Sequence, residues 1–226
     1  MKRSEINQIM REGEEFCRKM NFHLPPFADW TPADWATRRP ECDEIRDNML
    51  GWDVTDFGQG RFDSLGLLIF TIRNGNLKLP RYIKPYAEKL LWVRPQQVTP
   101  YHFHYSKMED IINRGGGDLL IQVYNSTPAP EYAQSDAPVE VDLDGCRSTV
   151  AAGTIVRLQP GESISLPTYL YHQFWAEGDT VMCGEVSTVN DDTIDNHFFE
   201  QMGRFPEIEE DEAPLHYMCT EYPPAG

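Results

Sequence analysis

The chain lacks most of what marks a secreted, membrane-bound or disulfide-rich protein. Its five cysteines are widely spaced and contain no Cys-x-x-Cys pair, so neither a disulfide framework nor a zinc knuckle is expected. No apolar run approaches the ~20 residues that cross a bilayer. The N-terminus has basic residues but no apolar stretch behind them, unlike a secretory signal. We therefore expect a cytoplasmic protein with reduced thiols and no membrane partner.

Positive charge is also scarce. The chain has 20 basic residues against 36 acidic ones, a formal net charge of −16. Such a surface repels phosphate backbones, so nucleic acid is not an expected partner. A neutral small molecule fits this electrostatic field better than a polyanion does.

The first 51 residues predict a helical N-terminal extension. Ser4 is a candidate N-cap for a helix that runs to about Met20. Thr31, with Pro32 at the first helical position, is a second helix start. A third short helix is expected over Glu41–Leu50.

From about residue 52 the apolar pattern becomes that of strands. Short β-rich segments separated by Gly, Pro and Asn predict a sandwich or small barrel over residues 52–188. Asn74-Gly75 is the strongest two-residue hairpin signal. Residues 189–226 are expected to pack on the barrel, with the acidic run Glu207–Glu212 as a solvated surface. Because no linker divides the chain, we expect one domain over residues 1–226.

The most informative stretch contains His102, His104 and Glu109. In a β-strand, His102 and His104 project from the same face, and a turn after His104 lets Glu109 point at the same spot. Two imidazoles and a carboxylate form a divalent-metal site that lacks one ligand. His172, which follows Pro167 in a second β-rich region, is the expected fourth ligand.

A lone His-x-His is more often a pair of surface residues than a metal site. Here Glu109, the expected turn at Gly115–Gly117 and His172 in a similar strand context favour metal binding. The other three histidines lack such neighbours, and we expect ordinary or peripheral roles for them, with His197 as the first candidate exception: His23, His197 and His216.

The spacing His-x-His-x4-Glu before a Gly-rich segment resembles the first motif of the cupin superfamily. Pro167 to His172 resembles the second motif, with Tyr169 where the family usually has Gly and Ala176 where it often has Asn. More narrowly, the chain resembles the cupin-type D-lyxose isomerases over four segments: Thr99–Gly117, Gly184–Ser187, Val189–Asp192 and Gly203–Pro206.

This resemblance implies a mainly β, cupin-like jelly-roll barrel and a manganese-dependent aldose–ketose isomerase, usually a homodimer. The implied reaction interconverts D-lyxose and D-xylulose, and often D-mannose and D-fructose, through an enediol. Four protein ligands leave two positions free on an octahedral ion, enough for a chelating hydroxy-carbonyl. Mixed nitrogen and oxygen ligation suits Mn²⁺ and does not exclude other divalent transition metals.

Such chemistry needs a base that is not a metal ligand. Cys183, Glu185 and Ser187 share one strand face by two-residue alternation, which predicts Glu185 inside an otherwise apolar lumen. The alternative is a Glu185 that faces solvent or pairs with an arginine.

Three cations are candidates for substrate contacts. Lys107 lies between the metal ligands, where its ammonium could stabilise charge on the sugar's O1; the alternative is a surface lysine in a turn. Lys89 is a second candidate on an apolar strand. Arg204 is predicted to hold distal sugar hydroxyls, although a tail–core ion pair would explain it nearly as well.

Two other functions remain open from the sequence. Three histidines and a glutamate also hold Fe²⁺ in cupin dioxygenases, which would need a dry, apolar pocket. A non-catalytic, sugar-binding cupin is the third possibility. Glu185 and Lys107 favour a polyol substrate over an apolar one.

Overall fold

The computed structural model describes residues 1–224. Within them the helices are α1 (Arg3–Lys19), α2 (Pro32–Trp35) and α3 (Asp43–Asp47), with 3₁₀ turns at Pro26–Asp29 and Pro40–Cys42. The strands are β1 (Gly51–Thr55), β2 (Leu67–Arg73), β3 (Tyr86–Val93), β4 (Thr99–His104), β5 (Glu109–Asn125), β6 (Val139–Leu143), β7 (Cys146–Val150), β8 (Ile155–Leu158), β9 (Ser163–Leu166), β10 (Leu170–Thr188) and β11 (Asn196–Phe198). No helix in this part of the chain is both long and apolar enough to span a bilayer.

The strands pair antiparallel into one curled sheet. Its main path runs β1-β2-β3-β10-β5-β9-β6-β7, while β4 pairs with β10 and β11, and β8 with β5. One apolar cluster fills the inside of the curl, and includes Ile69, Leu91 and Ile111. A second covers the outer face of β1–β3, where Ile6 and Met10 of α1 pack on Trp52. The predicted mainly β, cupin-like jelly-roll barrel is confirmed.

The N-terminal helices match the sequence with two corrections. α1 begins at Arg3, and Ser4 does not cap it; instead the Ser4 hydroxyl donates to Asp211 Oδ2 over 2.7 Å. Thr31 does cap α2, in a reciprocal capping box with Asp34. The third predicted helix is shorter than expected and covers Asp43–Asp47.

The acidic run is more than a solvated surface. Arg3 is 1% exposed, and its guanidinium donates to Glu210 over 2.6 Å and also pairs with Glu221. The Arg3 amide donates to the Glu209 carbonyl over 2.8 Å. The C-terminal segment is therefore tied to α1 by charge and backbone bonds, because a buried guanidinium needs anionic partners.

The two-residue turn predicted at Asn74-Gly75 is wrong, although β2 and β3 do pair antiparallel. β2 ends at Arg73 and β3 begins only at Tyr86, so a long loop joins them. Asn74 is buried and donates to the Asn190 carbonyl over 2.8 Å, while its Oδ1 accepts from the Asn190 amide over 3.1 Å. Its partner is far along the chain, which a local turn signal cannot reveal.

The glycine run is also not a turn. Gly115–Gly117 lies inside β5, a strand of 17 residues that pairs with the 19 residues of β10. The β5–β10 register shifts between Glu177 and Val181 and again between Met182 and Cys183. Gly115 and Gly116 have φ of +133° and +103°, values that favour glycine. The glycines thus form bulges that bend one long ribbon.

This bend creates the site. Glu109 pairs with Ser187, which lies fifteen residues beyond His172 on β10. A flat ribbon would separate the two positions by about 50 Å at ~3.3 Å per residue. In the bent ribbon, His172 Nε2 lies 3.2 Å from Glu109 Oε1.

We expect Gly116→Ala to lower the free energy of unfolding by roughly 3 kcal/mol, since it combines a left-handed backbone with a steric overlap. A Cβ at Gly116 would overlap the carbonyl oxygen of Thr180. Gly178→Ala is the matched control, because Gly178 has φ +88° but open space around it; its expected loss is about 1 kcal/mol. Urea unfolding of both metal-free variants measures the difference, and equal losses would contradict the packing argument.

Candidate metal centre

Four side chains converge inside the barrel. Ligand atoms of His102, His104, Glu109 and His172 all lie within 4.8 Å of one another, and all four residues are buried. β4 supplies the first two, β5 begins at Glu109, and β10 supplies His172, which pairs directly with His102. The structure therefore brings together every residue of the predicted metal site.

Backbone carbonyls set the orientation of the imidazole rings. Nδ1 of His102 lies 2.8 Å from the Pro100 carbonyl, and Nδ1 of His172 lies 3.0 Å from the Leu170 carbonyl. A carbonyl only accepts, so each Nδ1 carries the proton and each Nε2 keeps its lone pair. The buried Nε2 atoms of His104 and His172 make no hydrogen bond within residues 1–224. They point to a shared position, as ligands of one ion do.

The charge states also suit a metal. Burial lowers the pKa of His102 well below its ordinary value, and the neighbouring His172 and His104 lower it further. Burial and Lys107 lower the pKa of His104. For Glu109, burial alone would raise the pKa, but Lys107 and His104 hold it well below the usual range. Neutral imidazoles and an ionised carboxylate are the forms that bind metal.

The donor set fits a divalent transition metal. Three imidazole nitrogens and one carboxylate suit Mn²⁺, Fe²⁺, Co²⁺, Ni²⁺ or Zn²⁺ better than the all-oxygen sites that Ca²⁺ and Mg²⁺ prefer. Lys107 Nζ lies 2.6 Å from Glu109 Oε2. Since this oxygen is engaged by the lysine, Glu109 would hold an ion through Oε1, and a six-coordinate ion at these four donors would keep two positions for other ligands.

Lys107 is not the surface lysine that its turn position allowed. The residue is 2% exposed, and its Nζ bridges Glu109 and Glu185, with 2.9 Å to Glu185 Oε1. Burial alone would lower the pKa of Lys107, but Glu109, Glu185 and Asp192 raise it above its ordinary value. The side chain is therefore a fixed ammonium beside the metal position.

Glu185 lies on the inner face of β10, as two-residue alternation predicts, and is 4% exposed. The expected apolar surroundings are wrong. Lys89 lies directly opposite on β3, with Nζ 3.5 Å from the same Oε1 that Lys107 contacts. Two ammonium groups thus hold one carboxylate oxygen. A pair of lysines on different elements leaves no signal near Glu185 in the sequence.

The charges continue from Glu185 to Asp53. Lys89 Nζ lies 3.3 Å from Asp192 Oδ2, and Arg204 Nη2 contacts the same oxygen over 3.0 Å. Arg204 also donates to Asp53 over 2.5 Å. Burial alone would raise the pKa of Asp192, but Lys89 and Arg204 hold it well below its usual range. Seven alternating charges, from Asp53 to Glu109, therefore run through the interior.

All of these charged groups except Asp53 line a concave cavity of about 470 Å³, a figure that includes the open solvent at its mouth. Lys89, Lys107, Glu185 and Arg204 all line it. The sequence predicts no role for several lining residues, although Thr99 and Asp192 lie inside segments that carry the family resemblance: Thr55, Phe57, Thr99, Phe174, Asp192, Asn196 and Phe198. The charged side chains of this cavity fit a polyol better than the dry, apolar pocket expected of the dioxygenase alternative, although apolar side chains such as Phe57 and Leu91 also line it.

The departure from the second cupin motif leaves its turn intact. Tyr169 has φ +60°, the left-handed conformation that Gly would adopt there. Its ring packs 5.2 Å from that of Phe103. Tyrosine therefore keeps the turn before His172, with aromatic contacts that help to offset the backbone strain.

Comparisons with known proteins agree with this geometry. The family model for D-lyxose isomerase matches residues 1–222. The D-lyxose/D-mannose isomerases of Escherichia coli O157:H7 and Serratia proteamaculans are 50% and 49% identical to this chain, each over 98% of both proteins. In structure, L-ribose isomerase from Cellulomonas parahominis in complex with L-ribose is similar, with a TM-score of 0.61 and 16% identity over 92% of this chain and 98% of that one.

The similarity to the L-ribose isomerase, at 16% identity, shows a shared fold. The family model and the two relatives at 50% and 49% identity show the family. Together with a buried metal site and a charged cavity, they fix the class of protein. The chain belongs to the D-lyxose isomerase family and is an aldose–ketose sugar isomerase built on the cupin fold.

Proposed function

We propose that this enzyme interconverts D-lyxose with D-xylulose and D-mannose with D-fructose, using Mn²⁺ bound by His102, His104, Glu109 and His172. The observation that carries the proposal is the bridge formed by Lys107. One ammonium joins a metal ligand, Glu109, to a carboxylate that is not a ligand, Glu185, over 2.6 Å and 2.9 Å. A base and a cation therefore lie next to the metal position.

Glu185 is the proposed base. Both lysine contacts go to Oε1, which leaves Oε2 as the oxygen proposed to act on the substrate. It takes the proton from C2 of the aldose and returns it to C1 of the ketose, so the carboxylate is unchanged at the end. The hydroxyl proton moves from O2 to O1 in the same turnover. A divalent cation at the four-ligand site supplies polarisation of the carbonyl and neighbouring hydroxyl oxygens.

Lys107, Lys89 and Arg204 are the proposed contacts for the oxygen atoms of the sugar. Lys107 is placed to stabilise charge that develops on O1. Lys89 and Arg204 line the same cavity and share Asp192, which suits them to bind the hydroxyls further along the sugar. Phe57, Leu91 and Phe174 form the apolar wall that limits water around the reacting carbons.

Homodimeric assembly and cytoplasmic location complete the proposal. The family resemblance supports the dimer. All five cysteines are free thiols in the described residues, which fits a reducing compartment. Light scattering of the purified enzyme measures the mass, and about twice 26.0 kDa is expected.

The function is tested by incubating the Mn²⁺-loaded enzyme with D-lyxose or D-mannose in deuterated water. We expect ketose to form, with solvent deuterium at C1, because the Glu185 proton exchanges with solvent between the two transfers. Ketose that forms without deuterium would contradict the role of Glu185 and indicate a hydride shift. Oxygen uptake without ketose would contradict the isomerase itself.

A further inference from the structure

The turn between β4 and β5 holds Lys107 between two metal ligands. Residues 105–108 connect His104 at the end of β4 to Glu109 at the start of β5. Any shift of this turn moves the ammonium relative to both Glu109 and Glu185. Met108 is held by Thr188 of β10, whose amide donates to the Met108 carbonyl over 3.0 Å and whose hydroxyl accepts from the Met108 amide over 3.2 Å. The chain therefore needs something that fixes the other three residues.

A single distant side chain meets this need. Asp195 is 5% exposed, and its Oδ1 accepts from the Ser106 amide over 2.8 Å and from the Ser106 hydroxyl over 2.6 Å. Its Oδ2 accepts from the Lys107 amide over 3.0 Å. Both carboxylate oxygens are thus engaged by the turn, and charge-assisted bonds of this kind are stronger than neutral ones.

The backbone of the same residue adds two contacts. The Asp195 carbonyl accepts from the Tyr105 amide over 3.3 Å and lies 3.3 Å from His104 Nδ1. Asp195 is itself held, since its amide donates to the Asp191 carbonyl over 3.1 Å. One residue therefore contacts four consecutive residues, from His104 to Lys107.

Asp195 does not line the cavity, and it is not among the four converging ligands. It cannot act on a sugar directly. We propose that Asp195 is a positioning residue, whose carboxylate sets the place of the Lys107 ammonium between Glu109 and Glu185 and whose carbonyl sets the His104 ring. The expected loss of activity rests on the proposed function. The expected loosening of the turn between β4 and β5 does not.

Asp195→Asn is the test variant. The amide has the same shape as the carboxylate, but an NH₂ donor replaces one of the two acceptor oxygens and would face an N–H group of the turn. We expect kcat with D-lyxose at saturating Mn²⁺ to fall about 10- to 100-fold, because the Lys107 ammonium loses its fixed position and a misplacement of about 1 Å at a reacting site can cost on the order of 10²-fold. KM is expected to change less than about threefold, because Lys89 and Arg204 keep their partners. The bound Mn²⁺ per chain is measured on the same sample, so that kcat is expressed per loaded site.

Amide hydrogen exchange is the second readout and needs neither metal nor activity. In the metal-free protein, the amides of Ser106 and Lys107 are expected to exchange at least about tenfold faster in Asp195→Asn than in the wild type. Asp191→Asn is the matched control: Asp191 lies on the same segment, but its carboxylate bonds Lys78 and Thr193 rather than the turn. We expect it to leave both the kcat and the exchange of Ser106 and Lys107 unchanged.

The two readouts separate failure of this inference from failure of the proposed function. Unchanged exchange at Ser106 and Lys107 in Asp195→Asn, or a kcat per loaded site equal to that of Asp191→Asn, would overturn the positioning role. An inactive wild type would instead overturn the proposed function, and exchange would still decide whether Asp195 holds the turn.

Discussion

Replacing Glu185 by Gln is expected to reduce kcat for D-lyxose by about 10³-fold, within the 10²–10⁴-fold range typical of a lost general base. The amide keeps the shape of the side chain but does not accept a proton from C2. Folding is expected to persist, because Lys107 retains Glu109 at 2.6 Å and Lys89 retains Asp192 at 3.3 Å. Steady-state kinetics at saturating Mn²⁺ measures the loss.

The control for this prediction is Glu88→Gln. Glu88 lies next to Lys89 on β3, and its carboxylate pairs with Arg73 over 2.7 Å at the surface. It faces away from the cavity, so kcat is expected to stay within about twofold of the wild type. A Glu185→Gln enzyme that retains most of its activity would contradict the assignment of the base. Metal content measured on each sample excludes loss of Mn²⁺ as the cause.

Replacing His172 by Ala is expected to weaken Mn²⁺ binding by more than about 100-fold, since losing even an outer partner of a ligand reduces affinity 10- to 100-fold. The remaining three donors leave an incomplete site. Metal at 100 times its Kd stabilises the wild type by about 2.7 kcal/mol. We expect that stabilisation to disappear in His172→Ala at the same Mn²⁺ concentration, as measured by calorimetric titration and by the shift of Tm with added metal.

His23→Ala is the matched control for metal binding. His23 is exposed and lies outside the converging group. Its removal is expected to leave both Mn²⁺ affinity and the metal-induced rise in Tm unchanged. Equal affinities of the His172→Ala and wild-type proteins would contradict the proposed ligand set.

The metal site was predictable because its signals are local. His102 and His104 are two residues apart on one strand, and Glu109 follows after a single turn, so spacing alone places three ligands together. His172 required a second motif, and the left-handed Tyr169 shows that the motif's geometry survives a change of residue. The expected helices around Thr31 were found for the same reason, since a capping box spans only four residues.

The rest of the site depends on partners that are distant in sequence. Lys107 and Glu185 are 78 residues apart, and Ser106 and Asp195 are 89 apart. No periodicity relates such positions, so the apolar lumen expected around Glu185 is in fact a chain of buried ion pairs. The error at Asn74-Gly75 has the same origin: a buried contact with Asn190 outweighs a local turn preference.

The run Gly115–Gly117 shows a third limit of predicting structure from sequence. Gly-rich sequence predicts a turn, and a bulge inside a long strand has the same composition. Only the pairing of β5 with β10 distinguishes a bulge from a turn. Gly116 lies opposite Val181, where the register shifts. That distinction decides whether Glu109 and His172 can meet at all.

The proposed chemistry requires one cation held by three imidazole nitrogens and one carboxylate oxygen, with two neighbouring positions open to the sugar. Anomalous diffraction from crystals of the Mn²⁺-loaded enzyme, collected on both sides of the manganese absorption edge, tests this directly. We predict one peak at bonding distance from Nε2 of His102, His104 and His172 and from Oε1 of Glu109, with two adjacent positions occupied by water or substrate. A peak elsewhere, or an ion enclosed by six protein atoms, would contradict it.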